Sequence, residues 1–310
     1  MTEVLEAYAS RYLASLRRSP RTREEYGRDL HIFVQWAHDH GKHDPREITA
    51  AEIEEFLINL RRKDGIRYAA VTRNRVLAVV KGYYKFLVKD RLVAALDDPA
   101  AVIATQKRPR RDPIFLELDE GSRIIVAVRD RTPETPFQEM MKARDMAVLT
   151  LLLGSGLRIS ELVSLNLDTW EEAMMNGWLT IIGKGNKERA VPPSDEAVEF
   201  VKAYRKCRPE VPPDLDGHPL FVSRKRIRLS QRQIERIVRD LAKEAGITKK
   251  ITPHKLRATW VTQLLINGAN VREVQKMAGH DSLDTTMLYA GVQDKEELKR
   301  TVKRYQVRYI

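Results

Sequence analysis

The 310-residue sequence contains a single cysteine, Cys207, which excludes an intramolecular disulfide framework and suits a reducing cytosol. No run of about 18 apolar residues occurs, so no segment reads as a membrane span. The opening stretch, MTEVLEAYASRYLASL, is amphipathic and carries Glu3 and Glu6, unlike a secretory leader. The phosphate-loop pattern GxxxxGK[ST] is missing, which removes the usual signature of ATP use. Metal ligation has little support. His38, Asp39, His40 and His43 come nearest to a ligand set, but they occupy a charged, glycine-containing stretch without a cysteine or second cluster, and they read as a solvated loop. The sequence also lacks internal repeats and low-complexity tracts. Neither a metal nor an organic cofactor is therefore expected, and the chain reads as a cytoplasmic protein with no membrane partner.

Positive charge is in excess. Lys and Arg number 55 against 43 Asp and Glu, a formal net charge of +12, which points to a polyanionic partner. Lys107, Arg108, Arg110 and Arg111 cluster around Pro109. A second cluster runs Arg224, Lys225, Arg226, Arg228, Arg232, Arg236, Arg239 and Lys243. Clustered cations are rewarded on nucleic acid because phosphate neutralisation releases counterions.

An apolar fraction of 43% over this length suffices for about two domains, each with its own core. Residues 1–92 read as a four-helix domain. Val4, Leu5, Tyr8, Tyr12 and Leu13 recur at helical spacing. A second helix is expected from an N-cap at Thr22, with Glu25 three residues on, and a third from Thr49. The fourth, near 70–89, carries Arg73, Arg75, Lys81 and Lys85 opposite its apolar face. Residues 93–113, with Asp97-Asp98-Pro99 and the basic cluster, read as a linker. Residues 114–310 read as a larger, mainly helical domain with one hairpin, WLTII and RAVP flanking GKGNKE. Ser230 with Gln233 forms a capping box for a helix ending at Gly246, and Thr252-Pro253 opens a helix closed by Gly268.

Four motifs in the larger domain carry polar chemistry: GSGLRISELVSL (154–165), the hairpin tip GKGNKER (183–189), PHKLR (253–257) and KMAGHDSLDTTMLYAG (276–291). Each alone has an ordinary structural explanation. Together they supply two arginines, a lysine, two histidines and a tyrosine, which suits in-line attack on a phosphodiester. Guanidiniums clamp the non-bridging oxygens, a hairpin lysine protonates the leaving oxygen, and histidines manage a proton near neutral pH. A tyrosine hydroxyl attacks, and the phosphotyrosine retains the bond energy for resealing.

GLRISEL, GKGNKER, HKLR and GHDSLDTTMLY, in this order and spacing, resemble the motif boxes of the tyrosine recombinase (phage integrase) family, including its Xer-like members. The resemblance spans nearly the whole chain. It implies a mainly α, two-domain, C-shaped DNA clamp, with a SAM-like core-binding domain ahead of the catalytic domain. It makes Arg158 and Arg257 the catalytic arginines, Lys184 the hairpin lysine, His254 and His280 the active-site histidines and Tyr289 the nucleophile, with Glu161 supporting Arg158. DNA contacts are expected from Arg73, Arg75, Lys81, Lys107, Arg108, Arg110, Arg111, Arg232 and Arg236. The implied activity is site-specific cleavage and rejoining of duplex DNA through a 3′-phosphotyrosyl intermediate. It would be carried out by a homotetramer, or with a paired second recombinase. A type IB topoisomerase and a catalytically inactive DNA-binding regulator are the alternatives.

Two departures stand out. Ala258-Thr259-Trp260 replaces the His-Thr-Phe common in Xer-like members, and RTPETPFQEM (131–140) is longer than in compact ones. The sequence therefore leaves open whether the role is chromosome-dimer resolution or integration of a phage, plasmid or transposon. After Tyr289, QDKEELKRTVKRYQVRYI reads as a basic helix with Leu298, Val302 and Tyr305 on one face. The resemblance implies that such a tail docks on a neighbouring subunit.

Overall fold

The structure is a computed structural model that describes residues 4–62, 64–106, 113–182, 188–211, 217–280 and 282–290. The chain is mainly helical and divides into two compact units, Met1–Arg110 and Arg111–Ile310.

The first unit is built from α1 (Val4–Ser15), α2 (Pro20–Asp39), α3 (Ala50–Asn59) and α4 (Ala70–Lys89). Helix α2 starts earlier than the Thr22 expectation. Ser19 is its N-cap and accepts the Thr22 N–H at 3.3 Å, and Pro20 fills a first-turn position that needs no N–H. Thr49 does cap α3, exchanging side-chain and backbone bonds with Glu52 in a capping box. Phe33, Phe56, Tyr83, Tyr84 and Leu87 form the core. The two buried tyrosine hydroxyls donate to backbone carbonyls, Tyr83 to Leu5 and Tyr84 to Pro45, so neither buries an unpaired polar group. Much of the stretch expected as linker belongs to this core: Val93, Ala100 and Ile103 are buried in it. The Asn74 side chain holds the backbone N–H and C=O of Gln106 at 3.0 and 2.9 Å. The basic cluster Lys107, Arg108, Arg110 and Arg111 lies outside the described residues.

The second unit comprises α5 (Leu118–Arg129), α6 (Pro136–Ser155), α7 (Ile159–Ser164), α8 (Leu167–Asn176), β1 (Leu179–Ile182), β2 (Glu188–Val191), α9 (Asp195–Cys207), α10 (Gln231–Glu244), α11 (Pro253–Ile266), α12 (Val271–Ala278) and α13 (Leu283–Ala290). The second half of helix α6 is buried, with Met146, Ala147, Val148, Leu149, Leu151 and Leu152 in the core, as expected of a segment that is apolar on nearly every face. Strands β1 and β2 pair antiparallel in the register Leu179↔Val191 and Ile181↔Arg189. This alternation places Leu179, Ile181, Arg189 and Val191 on one face. The longer segment 131–140 begins with Arg131, which bridges Glu244 of α10 and Asp145 of α6. Its last five residues form the first turn of α6, capped by Thr135.

Among the described residues no helix is long and apolar enough to cross a membrane, and no group of three His, Cys, Asp or Glu side chains could hold a metal ion. His38 and His43 pack ring against ring, 5.1 Å apart. Cys207 is half-buried at the end of α9, its thiol pKa raised first by burial.

Candidate active site

Two glycine turns and one capped helix start deliver the polar residues to one place. The first ends α6, where Gly156 adopts a left-handed conformation at φ 57°, favourable only without a side chain. Arg158 follows two residues on, at the N-cap of α7. The second is the start of α11, where Thr252 caps and Pro253 occupies the first turn, setting His254 and Arg257 one helical turn apart. The third ends α12 at Gly279, also left-handed at φ 61°, and leads through His280 into α13 and Tyr289.

Glu161 is the hub. It is buried, and its carboxylate accepts the Arg158 backbone N–H at 2.7 Å and Arg158 Nη1 at 2.9 Å. It also accepts Arg189 Nη1 at 2.8 Å and Arg189 Nη2 at 2.7 Å. Desolvation pushes the Glu161 pKa up, but the bonds from Arg189 and Arg158 outweigh it, so the carboxyl stays below its ordinary range. Arg158 Nη2 continues to the Gly279 carbonyl at 2.5 Å, and Arg189 Nε donates to the Met277 carbonyl at 2.8 Å.

Arg257 is buried and donates to the carbonyls of Gly156 and Ala278. Its pKa falls to about 10, through desolvation first and then the charge of Arg158. Both reversals at Gly156 and Gly279 are thus tied to guanidiniums.

The surplus of cations in a desolvated pocket governs the histidines. His280 is lowered to about 4, by burial first, then by Arg257, Arg158, His254 and Arg189. His254 presents more of its ring to solvent and is lowered by desolvation, then by Arg257 and Arg158. Both are therefore neutral at physiological pH. His280 Nδ1 lies 2.8 Å from Thr286 Oγ1, and its ring stacks on Tyr289 with centroids 6.4 Å apart and planes at 22°. Tyr289 is itself buried against Val191, Ala258, Trp260 and Ala278. Burial raises its phenol pKa, and the Arg257 charge acts in the opposite direction.

Arg158, Glu161, His254, Arg257, His280 and Tyr289 thus converge, while Lys184 lies outside the described residues. Arg189 belongs with them, although it closes a motif quoted for its lysine. The strand pairing puts this arginine on the inward face, opposite Ile181. Trp260, part of one of the two departures, packs on Gly156: its indole occupies the space that a side chain at residue 156 would need.

Among the expected DNA-contact residues, Arg232 and Arg236 are exposed on α10, opposite its buried Ile234, Val238 and Leu241. Arg75 is exposed on α4 and pairs with Asp29. Arg73 is turned inward, with Nε and Nη1 buried and without a hydrogen-bond partner. Lys81 is half-buried, with its ammonium 3.5 Å from the Ala101 carbonyl. Arg228, from the second basic cluster, holds the carbonyls of Val163 and Leu165 and the side chain of Asn166.

Comparisons with known proteins point to one family. Residues 115–296 match the Phage integrase family, and residues 5–91 match the Phage integrase, N-terminal SAM-like domain. The chain is 34% identical to tyrosine recombinase XerD of Oceanobacillus iheyensis, over 94% of this chain and 93% of that protein. It is 32% identical to tyrosine recombinase XerC of Thermodesulfovibrio yellowstonii, over 93% of this chain and 89% of that one. In fold it is similar to the XerH site-specific recombinase bound to palindromic difH substrate in a post-cleavage complex. That likeness has a TM-score of 0.75 at 18% identity, and covers 99% of this chain and 97% of that one. With a family match over more than half its length and these relatives along nearly all of it, the chain belongs to the phage integrase family of tyrosine recombinases.

Proposed function

We propose that this protein is a site-specific recombinase that cleaves and rejoins duplex DNA through a 3′-phosphotyrosyl intermediate formed on Tyr289. The observation that carries this reading is the fixing of two guanidiniums, Arg158 and Arg257, beside the turn that leads to His280 and the stacked Tyr289. A phosphodiester undergoing in-line attack builds negative charge on its non-bridging oxygens, and preorganised guanidiniums stabilise that charge at low reorganisation cost. The Tyr289 oxygen bonds to phosphorus as the P–O5′ bond breaks. Lys184 gives its proton to the departing O5′. His280, held to about 4, is a poor proton acceptor and acts as a neutral hydrogen-bonding partner. His254, more exposed and also neutral, takes the phenolic proton. A 5′ hydroxyl from the second duplex then reverses the step.

The excess of positive charge, and the Arg232 and Arg236 face of α10, support a duplex DNA partner. The two domains, 1–92 and 114–310, clamp that duplex, and four protomers act on two sites. The segment after Tyr289, with its apolar stripe at Leu298, Val302 and Tyr305, links protomers. These tail residues lie outside the described ones.

DNA covalently captured by the protein in cells is sequenced to define the site. Two fragments of unequal length carrying that site are then incubated with the protein in EDTA without ATP. Products of recombinant length are the expected result. Relaxation of supercoiled plasmid by monomers, without exchange or a defined site, would replace this reading with a type IB topoisomerase. Binding with no covalent adduct would leave a DNA-binding regulator.

A further inference from the structure

We propose that Arg189 is a positioning residue for the phosphate clamp: by occupying Glu161 it keeps the free edge of Arg158 turned toward the scissile phosphate. The proposal rests on the recombinase reading above.

The two arginines that share Glu161 are not equivalent. The Arg189 side chain is 9% exposed and that of Arg158 is 40% exposed. Arg189 commits all three guanidinium nitrogens to protein: Nη1 and Nη2 to the two carboxylate oxygens, and Nε to the Met277 carbonyl. Its two remaining N–H groups belong to a side chain almost wholly withdrawn from solvent. Arg158 places one hydrogen on Glu161 Oε1 and one on the Gly279 carbonyl. The other three of the five donors of a guanidinium have no partner among the described residues.

This division depends on Arg189. Each Glu161 oxygen accepts one bond from Arg189 and one from Arg158, the latter through Nη1 at Oε1 and through the backbone N–H at Oε2. Without Arg189, Glu161 would be a buried carboxylate with one counter-charge and vacant lone pairs. The favoured geometry for a lone Arg–carboxylate pair is the two-bond fork. Arg158 would rotate into it, leaving the Gly279 carbonyl and withdrawing its free edge from the phosphate.

The bonds close a ring through three pieces of chain. Arg158 joins Glu161 on α7, Glu161 joins Arg189 on β2, Arg189 joins Met277 on α12, and Gly279 returns to Arg158. Arg189 thus also fixes the turn before His280. The fit is close on both sides: a Cβ on Gly279 would sit 2.9 Å from Arg189 Cδ.

The test compares two substrates on a nicked suicide duplex. One carries an ordinary phosphodiester at the cleavage position, the other a methylphosphonate. The methylphosphonate lacks the charged non-bridging oxygen that the clamp neutralises, so a defect in the clamp should matter less on it. Arg189→Met should bind DNA normally and form covalent adduct on the phosphodiester roughly ten- to a hundred-fold more slowly than wild type, the scale of a misplacement of about 1 Å. Its deficit should shrink several-fold on the methylphosphonate, as it should for Arg158→Ala run in parallel. Equal deficits on both substrates, or wild-type rates on both, would overturn the proposal. If Arg189→Met does not melt cooperatively, Arg189→Lys is read instead, because it keeps the charge but not the fork. The expected result is a smaller deficit with the same substrate dependence, and an equal deficit on both substrates overturns the proposal again. Absence of any adduct from the wild-type protein on the phosphodiester would instead sink the recombinase reading.

Discussion

His280 and Thr286 share a hydrogen bond of 2.8 Å between Nδ1 and Oγ1, and Thr286 is wholly buried. The bond consumes one face of the imidazole, so only Nε2 remains to meet a substrate, and the threonine hydroxyl helps decide which nitrogen carries the proton. Thr286→Val keeps the shape and removes the partner. A buried polar group left unpaired costs about 1–3 kcal/mol, so the variant should melt lower and form covalent adduct more slowly, while Thr286→Ser should stay near wild type. Thermal melts and single-turnover cleavage check this, and a fully active Thr286→Val would show that the tautomer is set elsewhere.

The histidines also predict a pH dependence of stability. His280 is lowered to about 4 and His254 is lowered too, whereas in the unfolded chain histidine titrates near ~6.5. Between those values the unfolded state binds more protons, so stability is fully present above about pH 6.5 and is lost as the pH falls toward about 4. Glu161, held low, adds its loss only below the ordinary carboxylate range of about 4.3. Melting temperature should therefore fall between about pH 7 and pH 5, and His280→Gln should show a shallower fall. Identical slopes in the two proteins would remove His280 from the account.

Gly156 and Trp260 compete for one volume. Gly156 is left-handed at φ 57°, and any Cβ there would enter the indole. Gly156→Ala therefore combines backbone strain with overpacking, together about 2–4 kcal/mol. It also displaces the carbonyl that Arg257 holds. Adding Trp260→Phe should recover part of the lost stability in urea denaturation. A Gly156→Ala protein as stable as wild type would contradict the close approach.

The motifs around Arg158, Arg257, His280 and Tyr289 were legible in the sequence because the chemistry needs those residue types and local spacing delivers them. Arg158 and Glu161 are three apart at a helix start, and Gly156 and Gly279 mark the reversals. Arg189 was hidden because its meaning depends on partners 28 and 88 positions away in the chain. A four-residue strand carries too little alternation to announce an inward charge. The start of α2 was misjudged because Ser19-Pro20 and Thr22 both resemble caps, and proline at the first turn decided between them. Residues 93–106 looked like linker because Val93, Ala100 and Ile103 bury without helical or strand period.

Two kinds of basic residue in the second cluster separate by experiment. Arg228 holds three oxygens around the end of α7, so Arg228→Ala should lower the melting temperature. Arg232 and Arg236 are exposed, so their alanine variants should melt normally and bind DNA more weakly. If each loses a phosphate contact, the slope of log affinity against log salt should shallow by about one per residue. Unchanged slopes would take α10 off the DNA backbone.

The attack by Tyr289 is tested most directly by Tyr289→Phe, which removes one oxygen from a ring held by its own packing and by the His280 stack. The variant and wild type are compared on a nicked suicide substrate carrying the captured site, resolved on a denaturing gel. The account predicts equal DNA binding, a 3′-linked protein–DNA adduct from wild type, and none from Tyr289→Phe. An adduct that persists in Tyr289→Phe would mean that another residue attacks the phosphate.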